Sequence, residues 1–303
     1  MTGTERYLAF IIERSHITAV EIAHSPKGKT LTAAGSFDSE INFDNPEVFT
    51  EVGMTAREKI FAKEIQAFTK RIASGAHFFS FGLNTKMAML QQIPVDASLT
   101  DEEFEQHLQW ELQNYFPDGN PEQFVVQPYA LVGDDGLPGS NAMVISIKKS
   151  FINFLKNVCQ ELHGSMHIID LDQFCAESAL LFNYPHLTGK RTVVIGMDEE
   201  TLDASLLVNG KNADIRTIKW SGRDLSVIDK YAREQKADVI YLHGRIVTTK
   251  LAEKLVEISS IEVELADPFK KIALPASIKN VEEIKMRRQE YTAAIGLAVR
   301  EEE

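Results

Sequence analysis

Two stretches of the chain share one rhythm of apolar and polar positions. Residues 8–22 read LAFIIERSHITAVEI, and residues 193–210 read VVIGMDEETLDASLLVNG. Each is an apolar run, a short charged turn and a second apolar run, which is the pattern of two paired strands. The second stretch ends in Asn209-Gly210, a strong turn dipeptide. Set side by side, Ile12 falls on Met197, Glu13 on Asp198, Ile17 on Leu202 and Ala19 on Ala204. The correspondence points to a duplicated α/β chain in which one hairpin opens each half.

The pattern between and after the hairpins alternates in the same way. A third strand is expected over 30–37, then a polar connection with Pro46 over 38–53. Ile60, Phe61, Ile65, Phe68 and Ile72 recur at helical spacing. Strands follow over 78–83 and 88–95. Thr100 and Glu103 form a capping box that opens a helix. Phe104, Leu108, Leu112 and Tyr115 make its apolar stripe, Pro117 stops it, and Trp110 lies about 160° off the stripe. Strands at 124–132 and 142–147 flank a Gly/Pro/Asp turn, followed by a helix at 150–163, a strand at 166–171 and a helix at 173–182. After the second hairpin come a strand at 213–220, a helix at 224–235, a strand at 238–242, a helix at 248–259, a short strand at 262–265 and a mostly helical 281–299. Strands alternating with helices imply an α/β fold with mixed sheets. The expected halves are 1–190 and 191–303, with an α+β subdomain inserted in the first at about 45–147. The last helix is left free to pack back on the first half.

Composition narrows the function classes. At 303 residues with 44% hydrophobic and 25% charged positions, the chain is globular and long enough for two domains. It has no apolar run long enough for a membrane span and no signal-peptide core at MTGTERYLAF. Cys159 and Cys175 fit no zinc spacing and read as buried helix residues in a reducing compartment. A net charge of −12 disfavours nucleic acid and anionic lipid as default partners, without excluding a local basic patch.

Candidate chemistry is sparse. Gly28-Lys29-Thr30 and Gly189-Lys190 lack the glycine frame that aims backbone amides at phosphate, so neither is a phosphate loop. His163 and His167 have no third ligand, and no metal site is expected. Asp170 and Asp172 flank the end of the 166–171 strand; Asp172 reads as a helix N-cap, with a carboxylate that orients water or magnesium as the sharper alternative.

Four passages resemble the PilM family, the actin-like cytoplasmic proteins of type IV pilus assembly. They are QIPVDASLTDEEFEQHLQWELQNYFP (92–117), HIIDLDQFCAESAL (167–180), IEVELADPFKKI (261–272) and YTAAIGLAVRE (291–301), and they run in the family's order. The resemblance implies an actin-like fold of two ribonuclease-H-like halves with an inserted subdomain in the first. It also implies a groove, between the first-half core and that subdomain, that holds the N-terminal cytoplasmic peptide of a PilN-like inner-membrane protein. Trp110 is the candidate residue for that surface.

The departures from the family's nucleotide motifs carry an expectation of their own. Where relatives have Asp-x-Gly turns for metal and phosphate, this chain has Ile11 for the Asp, Glu13 for the Gly and Thr18 for a Lys, then Gly196 for the Asp and Asp198 for the Gly. The adenine-side triple glycine is His243-Gly244-Arg245. Glycine lets the backbone close on phosphate, and a carboxylate there adds bulk and charge. Two like charges about 4 Å apart repel by about 4 kcal/mol at an effective dielectric of 20. Residues 211–237 are too few for the family's second subdomain. The resulting expectation is a non-catalytic scaffold, cytoplasmic and peripheral to the inner membrane through its partner, with no cofactor, no metal and no nucleic acid. The alternatives are an ATPase using Asp170 and Asp203, and the scaffold of a type II secretion system, whose GspL protein resembles PilM fused to PilN.

Overall fold

The computed structural model describes residues 4–50, 52–96, 99–115, 121–222 and 224–300. The first half starts with strands β1 (Glu5–Glu13), β2 (His16–Ser25) and β3 (Gly28–Asp38), helix α1 (Met54–Ile72) and strand β4 (Phe78–Leu83). An excursion follows: β5 (Met89–Pro94), helix α2 (Asp101–Tyr115), β6 (Phe124–Val132) and β7 (Pro138–Lys148). The chain then returns through α3 (Lys149–Glu161), β8 (Ser165–Leu171) and α4 (Asp172–Asn183). The second half contains β9 (Arg191–Met197), β10 (Thr201–Val208), β11 (Lys211–Lys219), α5 (Ser226–Glu234), β12 (Val239–His243), α6 (Thr249–Ile258) and β13 (Glu262–Leu265). Two short helices end it, α7 (Val281–Met286) and α8 (Thr292–Ala298).

The duplication is real at the level of topology. One sheet has the order β3-β2-β1-β4-β8 and the other β11-β10-β9-β12-β13. In each, the first three strands are antiparallel and the last two run parallel to the hairpin's first strand. Ile12 faces Ile17 in the first hairpin, and Met197 faces Leu202 in the second. Thus the pairing seen in sequence is the pairing in space. By the same register, the Ile11–Thr18 pair is equivalent to the Gly196–Asp203 pair.

Strand β1 is buried on both faces, which explains its unbroken apolar run. Leu8, Phe10 and Ile12 pack with α1 (Phe61, Ile65) and α3 (Phe154, Leu155, Val158). Ala9 and Ile11 pack with α4 (Ala176, Ala179) and α8 (Ile295, Leu297). In the second sheet, Val193, Ile195 and Leu202 face α5 and α6, whereas Val194, Leu207 and Tyr241 face Leu180 and Tyr184 at the far end of α4. Helix α4 therefore lies between the two sheets and covers part of each. Helix α8 comes from the end of the chain but lies on α4 and the first sheet. Contact is backbone-close: a Cβ on Gly296 would stand 1.7 Å from the Cys175 carbonyl oxygen. Both cysteines are buried helix residues.

Two expectations are corrected. The insertion does not begin near residue 45: α1 packs on the first core, and β4 sits inside the first sheet between β1 and β8. The extra unit is the antiparallel β5-β7-β6 sheet with α2, which starts after β4. One face of this sheet (Ile93, Ala142, Val144) holds Leu108 and Leu112 of α2, and the other (Leu131, Met143, Ile145) joins the first core together with Ile215 of β11. The mostly helical stretch 281–299 stands as expected, divided into α7, a tight turn over Arg288–Tyr291 and α8. The break is set by tertiary bonds, with Gln289 accepting from the Gly244 amide at 3.1 Å and donating Nε2 to the Val247 carbonyl at 2.7 Å. Asp172 is the first residue of α4, not its N-cap, and its Oδ1 accepts from the next amide, Gln173, at 2.8 Å.

Gly296→Ala is expected to lower the unfolding free energy by about 3 kcal/mol, because the atom it would displace is backbone and cannot swing aside. Urea denaturation reads this directly, and an unchanged midpoint would mean that α8 does not lie on α4 in this way.

Candidate functional site

The tips of the two hairpins face each other across the cleft between the halves. Arg14, in a left-handed conformation at the β1–β2 turn, reaches Glu200 at 2.8 Å and Glu199 at 3.6 Å on the opposite tip. Lys86 follows β4 in a turn capped by Asn84, whose Oδ1 accepts from the Lys86 amide at 3.1 Å. Its Nζ lies 2.6 Å from Asp198 and 3.7 Å from Glu200. From the second half, Arg245 approaches Glu13 at 3.8 Å and pairs with Glu199 at 3.4 Å. Burial raises the Asp198 carboxyl, but the Lys86 bond, the Glu199 amide and Arg14 outweigh it, so the group sits below the ordinary carboxylate range. The acidic tip expected to repel phosphate is thus paired with Arg14 and Lys86, which the motif comparison left out, and with Arg245. These pairs are partly exposed and contribute about 0–1 kcal/mol each. They fix how the halves meet more than whether each half folds.

Beneath the tips the cleft is filled. Ile11 is buried, and its Cδ1 lies where a Cβ on Gly82 would be, 2.3 Å away. Thr18, its partner in the hairpin, is buried too. Opposite, Gly196 is pressed by Gln173 Oε1 and His243, 2.8 and 2.9 Å from the position of a Cβ. His243 is buried beside Gly196, and burial lowers its pKa to about 4, so the ring is neutral. Its Nε2 donates to Gln173 Oε1 at 3.0 Å, and Gln173 Nε2 donates to the Val194 carbonyl at 3.1 Å and to Ser205 Oγ at 2.8 Å. Gly244, at φ 113°, packs 2.8 Å from the Met197 carbonyl oxygen, measured from where a Cβ would be. Asp203 accepts from Thr85 and Thr217, both at 2.6 Å. Burial raises Asp172, with Asp203 and Glu13 adding to the effect. The space left among these groups is about 20 Å³, room for a water or so, whereas ligand sites run to about 300 Å³ or more. Among the described residues no cluster of three or more His, Cys, Asp or Glu is arranged to hold a metal. Asp170 is not in the cleft: it is buried on the other side of the strand end and paired with Arg300.

A second concavity lies where the first core meets the extra sheet. This groove of about 340 Å³ is walled by Phe43, Phe49 and Phe151 on one side and by Met87, Met89 and Phe124 on the other. The Phe49 and Phe151 rings meet tilted at 4.3 Å, and Phe43 meets Phe61 at 4.9 Å beneath them. Lys86, Lys148 and Asp44 supply the charge at its rim. Lys86 lines this groove and also bonds Asp198 in the cleft.

No protein-family model matches the sequence, and no curated protein matches it. Solved structures do. PilM of a PilM–PilN type IV pilus biogenesis complex superimposes with a TM-score of 0.73 at 19% identity, covering 97% of this chain and 98% of that one. A Bacteroides thetaiotaomicron protein of actin-like ATPase fold and unknown function follows at TM-score 0.51 and 11% identity, covering 86% and 91%. This is a PilM-like actin fold.

Within the PilM-like fold, most of the motif positions named from the sequence fall at the cleft. Ile11, Glu13, Gly196, Asp198, His243 and Gly244 all line it, with Arg245 at its rim. The resemblance placed a groove at the junction of the first core and the extra sheet, but the residues named for it were limited to Trp110, which is not in its lining. Phe43 and Phe49 fall in a stretch dismissed as a polar connection, and a pair of aromatics in such a stretch was the available signal. Trp110 stands 58% exposed on the outer face of α2, stacked on His107 at 6.3 Å and outside the groove lining. The capping box is formed, with Glu103 accepting from the Thr100 amide at 2.9 Å. The Tyr115 side chain and Pro117 lie outside the described residues.

The polar seam along α4 has a pH signature. Glu177 is buried, accepts from Asn212 at 2.8 Å, and is pushed up to about 7, chiefly by burial. Its folded pKa lies above the unfolded value, so the native state holds the proton longer. This contribution to stability is complete below about pH 4.5 and is lost as pH rises through about 7. Glu177→Gln should therefore raise the melting temperature at pH 8 relative to the parent and change it little at pH 5. Melts across that range check this, and a parallel offset at every pH would contradict it.

Proposed function

We propose that the chain is a non-catalytic scaffold of a type IV pilus assembly complex. On this reading it works in the cytoplasm, peripheral to the inner membrane, and binds the N-terminal cytoplasmic peptide of a PilN-like membrane protein. The observation that carries the reading is the aromatic groove, open at the junction of the first core and the extra sheet, in a chain whose whole length follows PilM. An extended apolar segment fits it: Phe43, Phe49, Phe124 and Phe151 offer side-chain pockets, and Lys148 can take a carboxylate on the peptide. Trp110, on the outer face of the same extra unit, is a second contact for the partner, since a large exposed aromatic is a common interface hot spot. The filled cleft supports the absence of catalysis, and the ATPase alternative loses its proposed carboxylate to Arg300. Among the described residues no helix is long and apolar enough to cross a membrane, which fits a partner that supplies the membrane contact.

Titration with the N-terminal peptide of a PilN-like protein from the same source tests the reading. Phe124→Ala should weaken binding by on the order of 2 kcal/mol, and Trp110→Ala should weaken it while leaving the melt nearly unchanged. Leu108→Ala, in the α2 core, should instead cost about 2–5 kcal/mol of stability. If the groove variant binds as the parent does, the peptide lies elsewhere. If Trp110→Ala unfolds the protein as Leu108→Ala does, Trp110 is core and not surface.

A further inference from the structure

The chain carries 44 acidic residues against 32 basic ones, yet residues 22–37, 178–197 and 268–281 contain no acid at all. The fold brings these three segments to one surface. Residues 29–31 at the start of β3 pair with the loop after β13: Thr30 bridges Ala273, Leu31 donates to the Ala273 carbonyl at 3.0 Å, and Ala273 donates to the Lys29 carbonyl at 3.1 Å. The same loop is tied to the end of α4, where the Lys271 amide donates to Asn183 Oδ1 at 2.9 Å. Lysines consequently surround two rings. Lys29 and Lys271 lie 5.9 and 5.7 Å from the Phe182 ring, and Lys270 lies 3.8 Å from the Tyr184 ring. Exposed Lys27 sits at the neighbouring β2–β3 turn, and exposed Leu181 beside Phe182. Among the described residues, no carboxylate pairs with Lys27, Lys270 or Lys271.

We propose that this face lies directly against an anionic lipid surface. It gives the chain a membrane contact of its own, beyond the one its partner would supply. Three features favour a bilayer over an acidic peptide. The cations are lysines, hydrated point charges without the planar fork that reads individual carboxylates. An added strand has no free edge at residues 29–31, because Ala273 already occupies it. An exposed leucine beside a half-buried phenylalanine, set among lysines, suits the headgroup boundary, where apolar groups insert and lysines meet negative charge.

Co-sedimentation with vesicles tests this on the protein as it stands. The parent should pellet with phosphatidylcholine vesicles containing phosphatidylglycerol at low salt, and should be released both by high salt and by leaving out the anionic lipid. Lys270→Glu with Lys271→Glu should lower the partition about tenfold or more at an unchanged melting temperature. Lys63→Glu with Lys156→Glu, two exposed lysines on α1 and α3, should not change it. The proposal fails if the parent does not bind anionic vesicles at low salt, or if both double variants bind alike. It also fails if poly-glutamate displaces the protein from the vesicles and binds it more tightly, which would assign the face to an acidic protein. Should the Lys270/Lys271 variant not fold, the salt and lipid arms on the parent still decide.

Discussion

Gly296 lets one helix lie directly on the backbone of another, and much of the molecule hangs on that contact. Any side chain at this position would collide with the Cys175 carbonyl. With glycine there, α8 settles on α4, and Ile295 and Leu297 complete the second face of the first sheet. The end of the chain is thereby pinned to the first half. The turn before α8 is held against the second half through Gln289, Gly244 and Val247. Helix α4 receives α8 on one side and the second sheet on another, so it works as a shared wall between the halves.

What α4 presents to the second sheet closes the cleft from below. Gln173 ties His243 to Ser205 and to the Val194 backbone, and Glu177 bonds Asn212. A neutral buried histidine and a side-chain amide thus form the floor of the cleft. Above them, Arg14, Lys86 and Arg245 each pair with a carboxylate from the opposite half. The charges at the mouth are spent on each other, and the space between is about 20 Å³. The exposed chemistry has moved outward, to the aromatic groove, to the outer face of α2 and to the lysine surface at the end of α4.

How much of this was legible in the sequence follows from the range of each interaction. The paired hairpins, the capping box at Thr100 and the strands at Phe78–Leu83 and Glu262–Leu265 are local patterns, and they stand as read. The start of the insertion was misjudged because α1 and β4 belong to the first half only through contacts with distant strands, which periodicity does not report. Where the last helical stretch divides was not legible, because Gln289 looks like an ordinary helix residue until its partners at 244 and 247 are in place. The candidate cleft was legible as a set of unusual residues at motif positions, but not as an ion-pair network, since Lys86 and Arg14 belong to no motif. The lysine surface joins segments at 27–29, 181–184 and 270–273, and only the fold puts them together.

The proposed scaffold role requires a cleft closed to nucleotide by packing and by cross-cleft pairing. The most direct measurement is calorimetric titration of the intact chain with ATP and magnesium. The account predicts no saturable heat at any concentration up to the millimolar range. A magnesium-dependent dissociation constant below about 100 μM, some 5.5 kcal/mol of binding free energy, would contradict it.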